Sequence, residues 1–100
     1  MTRLARLDRV LECLRQRRAE ARDRYGVEFV GVVGSTARGE AHESSDVDVL
    51  INVVGHTTYF RIGELEAELG AQLGAPVDLV DRKCLRPAFR ADMERDLVSI

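Results

Sequence analysis

The sequence predicts an α/β or α+β sandwich in which helices pack on a small sheet. Three observations point there. Leucines recur at helical spacing in residues 2–24 and 58–73, whereas short β-branched runs occupy 27–33, 46–54 and 77–80. Glycine and proline sit at the joints between those segments. At 45% hydrophobic and 32% charged over 100 residues, the composition suits one compact core, and the residues are expected to form a single domain over 1–100.

The first helix is expected over residues 2–24. Leu4, Leu7, Leu11 and Leu14 make one apolar stripe, and Thr2 is positioned as an N-cap. Tyr25-Gly26 stops it, because glycine accepts the left-handed conformation beyond a helix end. Residues 27–33, VEFVGVV, are almost wholly apolar and predict a central strand covered on both faces. A tight turn into a short helix is expected in GSTARGE, then a polar loop in AHESS, then a second strand over 46–54. GHTT at 55–58 is a turn and helix cap. The helix over 58–73 turns Ile62, Leu65, Leu69 and Leu73 inward and ends at Gly74-Ala75-Pro76, since proline cannot continue it. A short third strand follows at 77–80, a last helix from about Arg86 to Arg95, and a final edge strand in LVSI.

Composition also excludes classes of function. The formal net charge is −2, which argues against a protein whose main task is gripping a phosphate backbone. No apolar run approaches the roughly 20 residues that span a bilayer. The N-terminus alternates charge with leucine, unlike a signal peptide, and Cys13 and Cys84 are the only cysteines, so a reduced, cytoplasmic protein is expected with both thiols in the core. Eight of the 15 basic residues fall within the first 24 positions, interleaved with Asp8, Glu12, Glu20 and Asp23. That mixture fits a solvated helix face or a docking surface better than an RNA-binding stripe.

The chemistry concentrates in residues 34–51, GSTARGEAHESSDVDVLI. In a strand, residues two apart point the same way, roughly 6.5–7 Å from each other. Asp46 and Asp48 therefore form a carboxylate pair on one face while Val47 and Val49 point into a core. Two like charges so placed repel, and a hard divalent cation that keeps sites for phosphate oxygens, Mg²⁺, relieves them best. Gly34 lets the backbone approach a ligand, the amides after it can face an anion, and the Ser35 hydroxyl and the Arg38 fork add donors. An anion cradle beside a metal claw describes a site for a nucleoside triphosphate. Asp78, between Val77 and Leu79 in the third strand, completes the carboxylate set if that strand lies beside the second; otherwise it is an exposed edge acid. Arg38 could instead pair with Glu40 or Glu43. Ser44 and Ser45 cap the loop before the strand, and Ser45 is also a candidate nucleotide contact. His42 and His56 read as solvated loop and turn residues, and Asp81 as a turn residue.

Gly-Ser, ten residues, then Asp-x-Asp, with ARGEA and SSD inside the gap, closely resembles the minimal nucleotidyltransferases of the DNA polymerase β superfamily. The similarity extends into FRIGELEAELGAQLGAPVDLVD. It implies a nucleotidyltransferase fold with a small mixed sheet, and Mg²⁺-dependent transfer of a nucleoside monophosphate from a triphosphate, ATP above all. It further implies that Gly34 and Ser35 hold the triphosphate and that Asp46, Asp48 and Asp78 hold metal. Members of this class act as antitoxins to helical HEPN-type RNase toxins, adding AMP to a toxin tyrosine. The alternatives are a non-catalytic antitoxin that neutralises by binding alone, with Leu85 and Phe89 as an apolar docking patch, and transfer to a small molecule such as an aminoglycoside, for which little sequence remains to build an acceptor pocket.

Overall fold

The computed structural model describes residues 3–40 and 46–100, with side chains from residue 6 onward. The proposed Thr2 cap, the Leu4 side chain, His42, Glu43, Ser44 and Ser45 lie outside the described residues. The elements are α1 (Arg3–Tyr25), β1 (Val27–Val33), α2 (Gly34–Ala37), β2 (Val47–Val53), α3 (Tyr59–Leu73), β3 (Val77–Asp81), a 3₁₀ turn (Arg82–Cys84), α4 (Pro87–Arg95) and β4 (Val98–Ser99). Order and type follow the sequence pattern, and the boundaries move by a residue or so.

The sheet order is β3-β2-β1-β4. β1 runs antiparallel to both β2 and β4, whereas β2 and β3 are parallel, so the sheet is mixed. The parallel pair needs a crossover, and α3 supplies it. Thr58 caps α3 through its hydroxyl, which accepts from the Arg61 amide at 3.2 Å, and Gly74 ends it in the left-handed region.

One face of the sheet packs on α1 and α3. Val10, Leu11, Leu14 and Ala21 from α1 meet Val27, Phe29 and Val32 from β1, Val47, Val49 and Ile51 from β2, and Leu65 and Leu69 from α3. Each fully buried Leu or Val here contributes on the order of 1.5–3 kcal/mol. The odd-numbered residues of β2 serve this core, so the even-numbered ones, Asp48, Leu50 and Asn52, face the other way. β1 departs from the expectation of full cover on both faces: Glu28 and Val30 remain half-buried because the second face is only partly roofed.

Gly31 shows how closely the C-terminal strand is seated. A Cβ there would lie 2.8 Å from Leu97 Cδ1 and 2.9 Å from the Ser99 Cα, and would overlap the Val98 carbonyl oxygen. Gly31→Ala is expected to cost about 1–3 kcal/mol, the range for overpacking. Urea denaturation reads that loss. Faster exchange of the Ile100 amide, which donates to the Val30 carbonyl at 3.4 Å, would locate it at β4.

The helices are joined by a polar seam that the charge pattern alone assigns to solvent. Arg17 turns inward, donating to Glu20 at 2.9 Å and across to Glu68 of α3 at 2.6 Å. The Tyr25 hydroxyl donates to the other Glu68 oxygen, while Arg61 and Arg24 lie 5.3 and 5.6 Å from the Tyr25 ring centroid. The Tyr25 hydroxyl and the Arg17 guanidinium together hold the Glu68 carboxyl below the usual carboxylate range. A depressed carboxyl stabilises the fold at neutral pH and loses that contribution as acid protonates it.

Cys13 is buried as expected, and burial pushes its thiol up. Cys84 corrects the other half of that expectation: it is exposed, on the 3₁₀ turn, with its sulfur 3.6 Å from Asp81 Oδ2. The turn carries it out of the core because Asp81 caps it, accepting from the Lys83 amide at 3.0 Å.

Candidate active site

The site is built where three strands come level. Asp48 on β2 is paired in register with Val33 on β1 and with Asp78 on β3. Paired residues on adjacent strands share a face, so Asp48 and Asp78 stand side by side on the face that α1 and α3 leave open. Asp46 immediately precedes β2, and the next residue, Val47, is held by its amide to the Pro76 carbonyl at 2.8 Å. The neighbourhood of the three acids is electrostatically legible. Burial raises the Asp48 carboxyl above the ordinary value, and the like charges of Asp78 and then Asp46 raise it further. Among the described residues, no cation forms an ion pair with any of the three.

The chain leaves β1 directly into the second half of the site. Gly34, with φ at +74°, turns it into α2. A Cβ on Gly34 would stand 2.7 Å from Asp48 Oδ2, so the carboxylate lies against the bare backbone of the turn. The first amides of any helix have no partner within it, and Val33 at the N-cap contributes no side-chain bond to those of α2. The carbonyls, by contrast, are engaged: Gly34 accepts from Arg38 at 3.1 Å, Ser35 from Glu40 at 2.9 Å and Thr36 from Gly39 at 3.2 Å. Ser35 is half-buried beside Gly34.

Arg38 is at the C-terminal end of α2, and its guanidinium is held by carboxylates. Nε donates to Glu40 Oε2 and Nη1 to Asp96 Oδ2, each at 3.1 Å. The local alternative that the sequence offers, Glu40, is thus occupied, and a partner that the sequence does not suggest is added. Nothing in the spacing could have revealed Asp96, which lies 58 residues away. Thr36 is a second residue that sequence reasoning passes over. It is 1% exposed and its hydroxyl finds no hydrogen-bond partner among the described residues. Asp81 behaves as the turn residue expected.

The donors fit a hard cation by chemistry: oxygen only, anionic and, among the described residues, without an ion-paired protein cation. Among the described residues, no three His, Cys, Asp or Glu side chains stand close enough to enclose one ion. An open arrangement of one or two carboxylates suits Mg²⁺, which keeps waters and phosphate oxygens in its shell. Thr36, in the same turn as Gly34, keeps a buried hydroxyl with no hydrogen-bond partner among the described residues.

A four-stranded mixed sheet, with a Gly-Ser turn leaving one strand and spaced aspartates on its neighbour, defines the nucleotidyltransferase fold. Residues 10–100 match the nucleotidyltransferase domain family, and the chain belongs to that family. It is 37% identical over 94 residues to the protein adenylyltransferase MntA of Thermococcus cleftensis, covering 94% of this chain and 95% of that protein. A solved structure assigned as a minimal nucleotidyltransferase superimposes with a TM-score of 0.72 at 36% identity, covering 90% of this chain and 95% of its own. A chain from a toxin–antitoxin crystal structure with AMP-PNP shares the fold, with a TM-score of 0.59 at 22% identity over 82% of this chain and 61% of that one.

Proposed function

We propose that this nucleotidyltransferase moves AMP from ATP to a hydroxyl of a partner protein, and that the partner is a HEPN-type RNase toxin which it thereby neutralises. The single observation that carries the reading is the register of Asp48 with Asp78 on one face, beside the bare backbone of Gly34. The name of the Thermococcus cleftensis relative, a protein adenylyltransferase at 37% identity, supports a protein acceptor and an adenylyl donor.

In this reading Gly34 and Ser35 receive the triphosphate, and Arg38 reaches a phosphate oxygen. Asp46, Asp48 and Asp78 are the candidate Mg²⁺ ligands, one or two carboxylates to an ion as the open arrangement allows. The chemistry such a cation supplies when bound is neutralisation of phosphate charge and activation of the acceptor hydroxyl. The acceptor oxygen bonds to the α-phosphorus, the bond from that phosphorus to the β-bridging oxygen breaks, and pyrophosphate leaves. In the alternative in which Asp78, exposed at the sheet edge, serves as general base instead of metal ligand, it takes the proton that the hydroxyl gives up. Asp48, deeper and pressed against the turn, orients the reacting groups. The proposed setting is the cytoplasm, where ATP is supplied; among the described residues no helix is long and apolar enough to cross a membrane.

The test is to incubate the purified chain with ATP, Mg²⁺ and the product of the neighbouring reading frame, and to weigh the partner. The expected result is a mass gain of one or more AMP units on the partner that requires both ATP and Mg²⁺. Neutralisation of the partner without any mass gain would replace transfer with plain complex formation.

A further inference from the structure

The ion pairs of Arg38 bear on how the triphosphate turn is controlled. Glu40 is a local partner, but Asp96 comes from the far end of the chain, at the C-terminal cap of α4. α4 buries none of its residues. Ion pairs help tie it to the body: Arg82 to Glu94, with Nε to Oε1 at 2.6 Å, and Arg38 to Asp96 at 3.1 Å. One guanidinium between two carboxylates leaves a net negative charge at the end of the turn that opens with Gly34 and Ser35.

We propose that Asp96 is a positioning residue that sets nucleotide affinity by competing with the triphosphate for the Arg38 guanidinium. The inference rests on the reading of Arg38 as a phosphate ligand. A guanidinium has five N–H donors, and the two carboxylates engage only two nitrogens, Nε and Nη1. Among the described residues, N–H donors thus remain with which a phosphate can meet Arg38, but it meets it beside two like charges. Releasing the Asp96 contact removes part of that repulsion and frees Nη1, so that both terminal nitrogens can meet the phosphate while Glu40 keeps Nε. Linkage makes the effect reciprocal: nucleotide that takes Arg38 loosens the C-terminal end of α4, and anything that draws Asp96 away tightens nucleotide binding. The charges that raise the Asp48 carboxyl come from Asp78 and Asp46, not Asp96, so neutralising Asp96 changes the charge at Arg38 first.

The experiment compares ATP binding in the presence of Mg²⁺, and steady-state transfer, for the wild-type chain, Asp96→Asn, Asp96→Ser, Asp96→Glu, Arg38→Gln and the Arg38→Gln/Asp96→Asn double variant. Both neutral Asp96 variants are expected to lower Kd and KM for ATP by about two- to fivefold, the range for a half-exposed ion pair, with a smaller change in kcat. Using two neutral variants guards against one that packs badly. Asp96→Glu should restore wild-type affinity. Arg38→Gln should weaken binding, and in that background Asp96→Asn should have no effect. The gain should also shrink as salt screens the pair. Unchanged or weaker binding in both neutral variants, with Arg38→Gln still weakening it, overturns the role of Asp96 and leaves Arg38 as a ligand. Wild-type affinity in Arg38→Gln overturns both.

Discussion

Asp48→Asn is expected to reduce nucleotidyl transfer by at least about a hundredfold, exceeding the 10–100-fold typical of residues one layer away from a metal, while leaving the metal-free fold no less stable than the wild type. The two halves of the prediction have one cause. The Asp48 carboxyl is partly buried, with the charges of Asp78 and Asp46 beside it, and burial followed by those charges raises it above its ordinary value. A carboxyl raised on folding is protonated more readily in the native state than in the unfolded chain. Its ionisation therefore opposes folding, and stability falls as pH rises from the unfolded carboxylate range near 3.8 towards the folded value. This is opposite in sign to Glu68, whose depressed carboxyl favours the fold at neutral pH. The amide of asparagine keeps the shape and removes the charge, so the electrostatic cost disappears along with the proposed metal ligand. Urea midpoints in EDTA at neutral pH should be equal or higher for the variant. Mg²⁺ should raise the melting temperature of the wild type and not that of Asp48→Asn. Transfer that persisted at near wild-type rate in this variant would sink the metal reading.

Gly34→Ala is the second large effect, and it should strike fold and site together. The residue holds φ at +74°, where an L side chain costs roughly 1–2 kcal/mol. In addition, the new methyl would stand 2.7 Å from Asp48 Oδ2, closer than real Cβ atoms approach. Either the turn unwinds or Asp48 swings away. Destabilisation of about 1–2 kcal/mol is expected from the backbone alone, because the clashing atom is the free end of the Asp48 side chain and can swing aside, and transfer should fall even in the folded fraction because Asp48 is displaced. Gly39→Ala separates the two causes. Its φ is +73°, yet among the described residues nothing lies within 4 Å of the place its methyl would take, so only the backbone cost applies. Chemical denaturation of both variants, with transfer measured below the melting transition, makes the comparison. Equal losses of activity in the two would show that the Asp48 contact carries no function.

Part of the site is legible in the sequence because its signals are local. Asp46 and Asp48 announce themselves by strand alternation within three residues, and Gly34-Ser35 by its place directly after an apolar strand. Asp78 is legible only conditionally: it stands level with Asp48 only if β3 lies beside β2, as the parallel register has it. Arg17 escapes sequence reasoning because charge at helical spacing usually marks a wet face, whereas here Glu68 from a distant helix draws the guanidinium inward. Cys84 escapes it because a thiol with no ligand set nearby suggests a core, and the capped turn that exposes it becomes apparent only in the fold.

The sequence by itself determined what repeats at short range: which segments are helices and strands, where glycine and proline end them, and which acids share a face. Tertiary structure decided what depends on strand order and on contacts between distant segments. It set Asp78 level with Asp48, laid the Asp48 carboxylate against Gly34, and brought Asp96 across 58 residues to Arg38. The physical reason is range. Periodicity is imposed by backbone geometry over a few residues, whereas the approach of two charged groups from distant parts of the chain is settled only when the shared core closes and fixes how the strands lie beside one another.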